Sequence, residues 1–192
     1  IRGRTEPWST NFDVYRVPSD GSAAPVDLTP DNPAWDAQPA FSPDGKLLAH
    51  IAMDRPGFEA DRFHLVVRDA ATGAVRFTTR DWDRSIAAFR FSADGRQVYA
   101  MTEHLGQRPI WSINIKDGAR RMLTGPGSVT EFDVAGDRIL FAMQSLTSPV
   151  DLYLIAGRAA PRRVTEVNAV RLADVRFGEP EQFSFAGAGG EQ

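Results

Sequence analysis

Three stretches of this chain repeat one short design: an apolar strand, a tight turn carrying glycine, and a second apolar strand. They are residues 39–50 (PAFSPDGKLLAH), 89–100 (FRFSADGRQVYA) and 132–142 (FDVAGDRILFA). Phe41 and Phe91 lie 50 residues apart, and Phe91 and Val134 lie 43 apart. A self-similar period of this size marks a repeat architecture, and four-stranded propeller blades recur at about 40–45 residues. Units of this kind bury their apolar faces against neighbouring units. The repeat count therefore decides how much of the fold can close on itself.

The second half of each period is as regular as the first. Residues 63–69 (FHLVVRD) run through AATG into 74–79 (AVRFTT), and 109–115 (PIWSINI) run through KDG into 119–124 (ARRMLT). Residues 151–155 (DLYLI) run through AGRAAP into 162–165 (RRVT). Residues 12–17 (FDVYRV), the turn Asp20-Gly21 and 26–29 (VDLT) form the same half-unit without its partner. Each is a hairpin, because apolar residues flank a turn in which glycine takes positive φ at little cost. The unit reads as strands A, B, C and D joined antiparallel, which is one propeller blade with A innermost. The fold class expected is all-β, a partial propeller of about three and a half blades: a half-blade over 12–29 and blades over 38–79, 85–124 and 128–165. No helix is expected, since Gly, Pro and β-branched residues interrupt every amphipathic window.

Closed propellers use about 4–8 blades. Three and a half leave two faces without a neighbour, and at about 25 cal/mol per Å² of apolar surface each bare face forfeits many kcal/mol. That rivals the whole stability of a domain, about 5–15 kcal/mol. Self-association through the open blade edges is one expected consequence. The chain begins Ile1-Arg-Gly-Arg4 and ends AGAGGEQ, and both ends read as cut from something longer. Residues 170–177 alternate apolar and polar and 178–185 extend them past a proline, with no turn and no return strand, so 167–192 reads as a connector leaving the blades at 166 and entering a second domain.

Strand polarity puts the B–C and D–A loops on one rim and the A–B and C–D turns on the other. The B–C loops differ most: 53–62 (MDRPGFEADR), 102–108 (TEHLGQR) and 144–149 (QSLTSP). Variable loops on a rigid scaffold are where partners are usually met. The net charge of −3 gives no basic footprint for nucleic acid and no polybasic surface for a membrane. The absence of cysteine excludes disulfides and thiolate metal sites.

Candidate chemistry is sparse. A serine hydrolase elbow needs G-x-S-x-G, and the chain has none. His50, His64 and His104 fall on a B strand, a C strand and a loop, with no spacing that makes a triad or a metal site. No catalytic residue, metal ligand or cofactor site is assigned. The densest cluster is 81–84 (DWDR). There Asp83 is expected to accept from turn amides, Trp82 to cover a blade edge, and Asp83 with Arg84 to offer a rim patch. Glu59, Asp61 and Arg62 in the longest B–C loop, with His104 in the next, complete the candidate rim for substrate gating or domain contact. The Arg120-Arg121 and Arg162-Arg163 pairs open D strands, where charge protects an outer edge.

Several stretches together resemble the S9 (prolyl oligopeptidase) family of serine peptidases, in its acylaminoacyl-peptidase and dipeptidyl-peptidase 5 branch. They are 82–85 (WDRS), the FSPDG and FSADG turns, 145–149 (SLTSP) before Asp151-Leu-Tyr153, and 179–190 (EPEQFSFAGAGG). The SPDG turn is shared with TolB-type propellers, whereas the SP/LY blade followed by the junction is more specific. The resemblance implies a propeller that filters peptides above an α/β-hydrolase domain carrying the Ser-Asp-His residues, none of them in this chain. It implies that hydrolase domain and a peptide substrate as partners, and it suggests a periplasmic location. The alternative is a TolB- or WD40-like interaction propeller with no enzyme attached.

Overall fold

The computed structural model describes residues 8–190. The first seven residues and the last two, on which part of the reading of cut ends falls, lie outside the described residues. Three four-stranded antiparallel sheets follow one another in sequence order. The first blade is β3 (Asp36–Phe41), β4 (Leu47–Ala52), β5 (His64–Asp69) and β6 (Val75–Thr78). The second is β7 (Ile86–Phe91), β8 (Gln97–Thr102), β9 (Ile110–Asn114) and β10 (Arg120–Met122). The third is β11 (Ser128–Ala135), β12 (Arg138–Ser145), β13 (Ser148–Ala156) and β14 (Arg162–Arg163). Ahead of them β1 (Tyr15–Arg16) pairs with β2 (Val26–Asp27) as the outer half of a further blade.

The first two A–B hairpins share one turn chemistry. Ser42 Oγ donates to Asp44 at 2.7 Å and accepts from the Leu47 amide at 2.9 Å, while Asp44 accepts from the Lys46 amide at 3.1 Å. Ser92 and Asp94 repeat all three bonds at 2.7, 3.0 and 3.0 Å. Gly45 and Gly95 sit at φ +71° and +67°, where a side chain would be strained. The third hairpin lacks the serine and turns on Gly136-Asp137 alone, with Ala135 paired to Arg138.

A second device recurs at the outer end of every unit. Thr29, Thr79, Thr124 and Thr165 each accept, through Oγ1, the amide of a residue on the neighbouring C-side segment. The partners are Val14 at 3.0 Å, Leu65 at 2.9 Å, Ile110 at 3.1 Å and Leu152 at 2.9 Å. A buried amide left unpaired is costly, so the repeated threonine fixes where each D strand ends.

The core lies between blades. Ala49, Ile51, Leu65 and Val67 of the first blade meet Ile86, Phe89, Phe91, Val98 and Ala100 of the second. Met101 and Ile110 of the second meet Val129, Phe132, Ile139, Phe141 and Ile155 of the third. Alternation along β12 points Ile139 and Phe141 inward, and turns Leu140 outward beside Leu152 of β13. Leu140 is 45% exposed and Leu152 39%. In register Leu140 matches Ala49 and Tyr99, and Leu152 matches Leu65 and Ile110, positions that in the other blades face the next sheet.

Three sequence expectations need correction. The third B–C connection is a tight hairpin, because β12 runs to Ser145 and β13 begins at Ser148, with Ser145 Oγ holding the Thr147 amide at 3.2 Å. The first blade opens at Asp36, ahead of the expected residue 38, and a bulge at Gln38-Pro39 then shifts its register. The tail contains one helical turn, α1 (Ala169–Leu172), closed by the Leu172 amide on the Asn168 carbonyl at 3.0 Å.

Candidate functional site at the variable rim

The connection from β6 to β7 carries Asp81, Trp82, Asp83 and Arg84 onto the rim formed by the B–C loops. Trp82 stands edge-on to Trp111 at 5.2 Å between ring centres, and His104 meets the other ring at 5.6 Å. The Arg120 guanidinium lies 5.2 Å from the Trp82 ring and pairs with Asp81 at 2.7 Å. This corner joins the first blade to the second by aromatic packing capped with a cation.

Four of the six expected rim residues, Arg62, Asp83, Arg84 and His104, share that corner. Arg62 donates to the carbonyls of Trp82 and, at 3.0 Å, Arg80. Arg84 directs Nε and Nη2 at Nδ1 of His104, at 3.2 and 3.0 Å, and also reaches the Asp83 carbonyl. Nδ1 therefore accepts, which places the His104 proton on Nε2. Asp83 departs from expectation: its side chain is 99% exposed, and its carboxylate reaches only toward Arg84, at 3.4 Å. The bracing carboxylate is Asp81. Arg120, expected as an edge charge, is turned between blades instead.

Glu59 is exposed and stands apart from the corner. Its loop is organised by Asp61, which accepts the Asp54 and Arg55 amides at 2.9 and 2.8 Å and the Arg55 side chain at 3.0 Å. Burial opposes ionisation of Asp61, but these donors outweigh it and bring its pKa down to about 2. A carboxylate with aspartate's reach at both ends of a ten-residue loop was the available sequence signal. The next loop turns on Leu105 and Gly106, both at positive φ, with His104 and Gln107 exchanging backbone bonds at 2.8 and 3.0 Å.

The other two histidines are interior. His50 Nδ1 lies 3.0 Å from Asp36, and Arg68 donates to its Nε2 at 3.2 Å. His64 is buried, with Asp54 3.6 Å away, and burial holds its pKa down at about 4. Among the described residues no group of three or more His, Asp or Glu converges as a metal site.

No family model matches the chain. It is 31% identical over 162 residues to dipeptidyl-peptidase 5 of Porphyromonas gingivalis, a match covering 83% of this chain and 24% of that protein. The match supports an S9-family propeller segment. It spans about a quarter of the length of the curated relatives it matches. Among solved structures, Pyrococcus horikoshii acylaminoacyl peptidase superimposes with a TM-score of 0.70 at 20% identity, over 89% of this chain and 25% of that one. A putative TolB from Agrobacterium tumefaciens gives 0.60 at 21% identity, over 79% and 55%. Both likenesses concern the fold. The chain thus carries the propeller architecture expected from its repeats.

Proposed function

We propose that this S9 propeller segment is the non-catalytic part of a serine exopeptidase of the dipeptidyl- or acylaminoacyl-peptidase kind. It restricts peptide access to an α/β-hydrolase domain of the same parent protein and docks that domain through the B–C and D–A rim. Residues 167–192 then serve as the connector towards it. The match to dipeptidyl-peptidase 5 over most of this chain but a quarter of the relative is the observation that carries the reading. The rim geometry supports a division of labour. Arg62, Arg84 and His104 hold the two blades together, whereas the exposed carboxylates of Asp83 and Glu59 face solvent, where a partner would meet them.

The parent reaction would be peptide-bond hydrolysis through an acyl-enzyme, with the nucleophile supplied by the hydrolase domain. The test uses chromogenic Ala-Ala and acyl-Ala substrates. The 192-residue chain should leave them intact, and the whole protein should cleave them. Asp83→Ala and Glu59→Ala in the whole protein should change KM while leaving thermal stability in place. The TolB-like alternative, an interaction propeller without an enzyme, predicts a whole protein that cleaves neither substrate.

A further inference from the structure

The rim opposite the loops shows a difference between two otherwise equivalent blade junctions. Between the first and second blades, Leu47, Phe77 and Ile115 pack against the core and fill the turn end of the junction. The register identifies their counterparts one blade on. Gln97 opens β8 as Leu47 opens β4. Arg121 pairs with Ser112 as Phe77 pairs with Val67, because a bulge in β6 offsets the sequence count by one. The amide of Ile115 donates to the Arg96 carbonyl at 3.2 Å, and that of Gly157 to the Asp137 carbonyl at 2.8 Å. Two apolar fillers have thus become polar and the third has become glycine. What opens is a cleft of about 200 Å³ lined by Gln97, Tyr99, Arg121, Asp137, Gly157 and Arg158, above Ile139 and Ile155.

The charges in this cleft are unusual for their surroundings. The same hairpin position carries Lys46 in the first blade, Arg96 in the second and Asp137 in the third, so the sign reverses only here. Among the described residues Arg121, Arg158 and Asp137 form no ion pair within 4.0 Å, although all three line one small space. Exposed charges of opposite sign gain little by pairing, so their separation costs the fold little. It leaves two arginines and an aspartate, all exposed, lining the cleft without an ion-pair partner. Tyr99 adds a hydroxyl whose pKa is raised by burial and by the carboxylates of Asp94 and Asp137, against the opposing pull of Arg121.

We infer that this cleft binds a small zwitterion, an amino acid or a dipeptide of small residues, with its carboxylate on Arg121 and Arg158 and its ammonium on Asp137. The volume corresponds to about six or seven waters at about 30 Å³ each, which suits such a molecule. Paired guanidinium donors recognise a carboxylate plane better than a point charge would. The inference stands apart from the proposed hydrolase partnership, since it concerns the other rim and needs no catalytic domain.

Calorimetric titration of the 192-residue chain with Ala-Ala, N-acetyl-Ala-Ala, Ala-Ala-amide and inorganic phosphate tests it. Ala-Ala should bind, and blocking either terminus should weaken binding at least tenfold. Arg121→Ala and Arg158→Ala should each weaken Ala-Ala at least tenfold, and Asp137→Asn should remove the preference for the free amine. The double variant Gln97→Leu/Arg121→Phe, which restores the apolar pattern of the first junction, should raise the melting temperature while abolishing binding. Glu59→Ala, on the other rim, should leave binding unchanged. Absence of Ala-Ala binding would overturn the inference. So would equal binding of the blocked peptides, or binding of phosphate in place of the dipeptide.

Discussion

The hydroxyl of Thr165 donates to the buried carboxylate of Asp151 at 2.7 Å, so the last blade fastens its outer strand with a hydroxyl that both gives and receives. Arg163 and the Val167 amide, the latter at 3.0 Å, share the same carboxylate. Asp151 belongs to the SP-x-D-L-Y stretch that carried the family resemblance, which gives that motif a structural meaning: it locks the D strand and the start of the tail.

The threonine device should be measurable blade by blade. Thr79→Val and Thr124→Val keep the shape but leave the buried amides of Leu65 and Ile110 without an acceptor. Each should cost about 1–3 kcal/mol in urea unfolding. Thr165→Val should act chiefly on the third blade, which hydrogen exchange would separate from the other two.

Acid stability should show two separate windows. His64 is neutral in the fold with its pKa depressed to about 4, so the unfolded chain takes up its proton first. Stability contributed there is lost as pH falls from about 6.5 to 4. Asp151 is held at about 2 by Arg163, Thr165 and the Val167 amide, and its contribution is present above about 4 and lost as pH falls through 2. Melting temperature followed against pH should fall in both ranges. His64→Leu should flatten the first range, and Asp151→Asn should reduce the second, where Asp61 also contributes.

The corner around Trp82 should behave as a brace. Arg84→Ala and Arg62→Ala should each destabilise by about 1 kcal/mol, the scale of a net hydrogen bond. A double-mutant cycle between Arg84 and His104 should give a coupling of similar size. In the whole protein, Arg84→Ala should lower stability more than kcat/KM. A kinetic defect without a stability loss would move Arg84 from the brace to the substrate path.

The architecture was legible because turn chemistry is local. Ser42 with Asp44 and Ser92 with Asp94 specify their hairpins within six residues, and the spacing of those hairpins gives the blade. What escaped sequence reading depends on register and on distance. The choice between Asp81 and Asp83 as the bracing acid rests on which one faces Arg120, from a strand 39 residues further on. Arg121 resembles an ordinary edge charge until the bulge in β6 aligns it with Phe77. The third B–C hairpin was hidden because Ser145-Leu-Thr-Ser148 reads as loop by composition, yet turns tightly through a serine hydroxyl.

The central claim is that these blades are wedges of a ring whose third face, around Leu140 and Leu152, is built to receive another sheet. Light scattering of the purified 192-residue chain across a hundredfold concentration range tests it most directly. The account predicts concentration-dependent association that Leu140→Asp/Leu152→Asp abolishes, with the folded signal intact. A wild-type chain that stays monodisperse and monomeric throughout would contradict it.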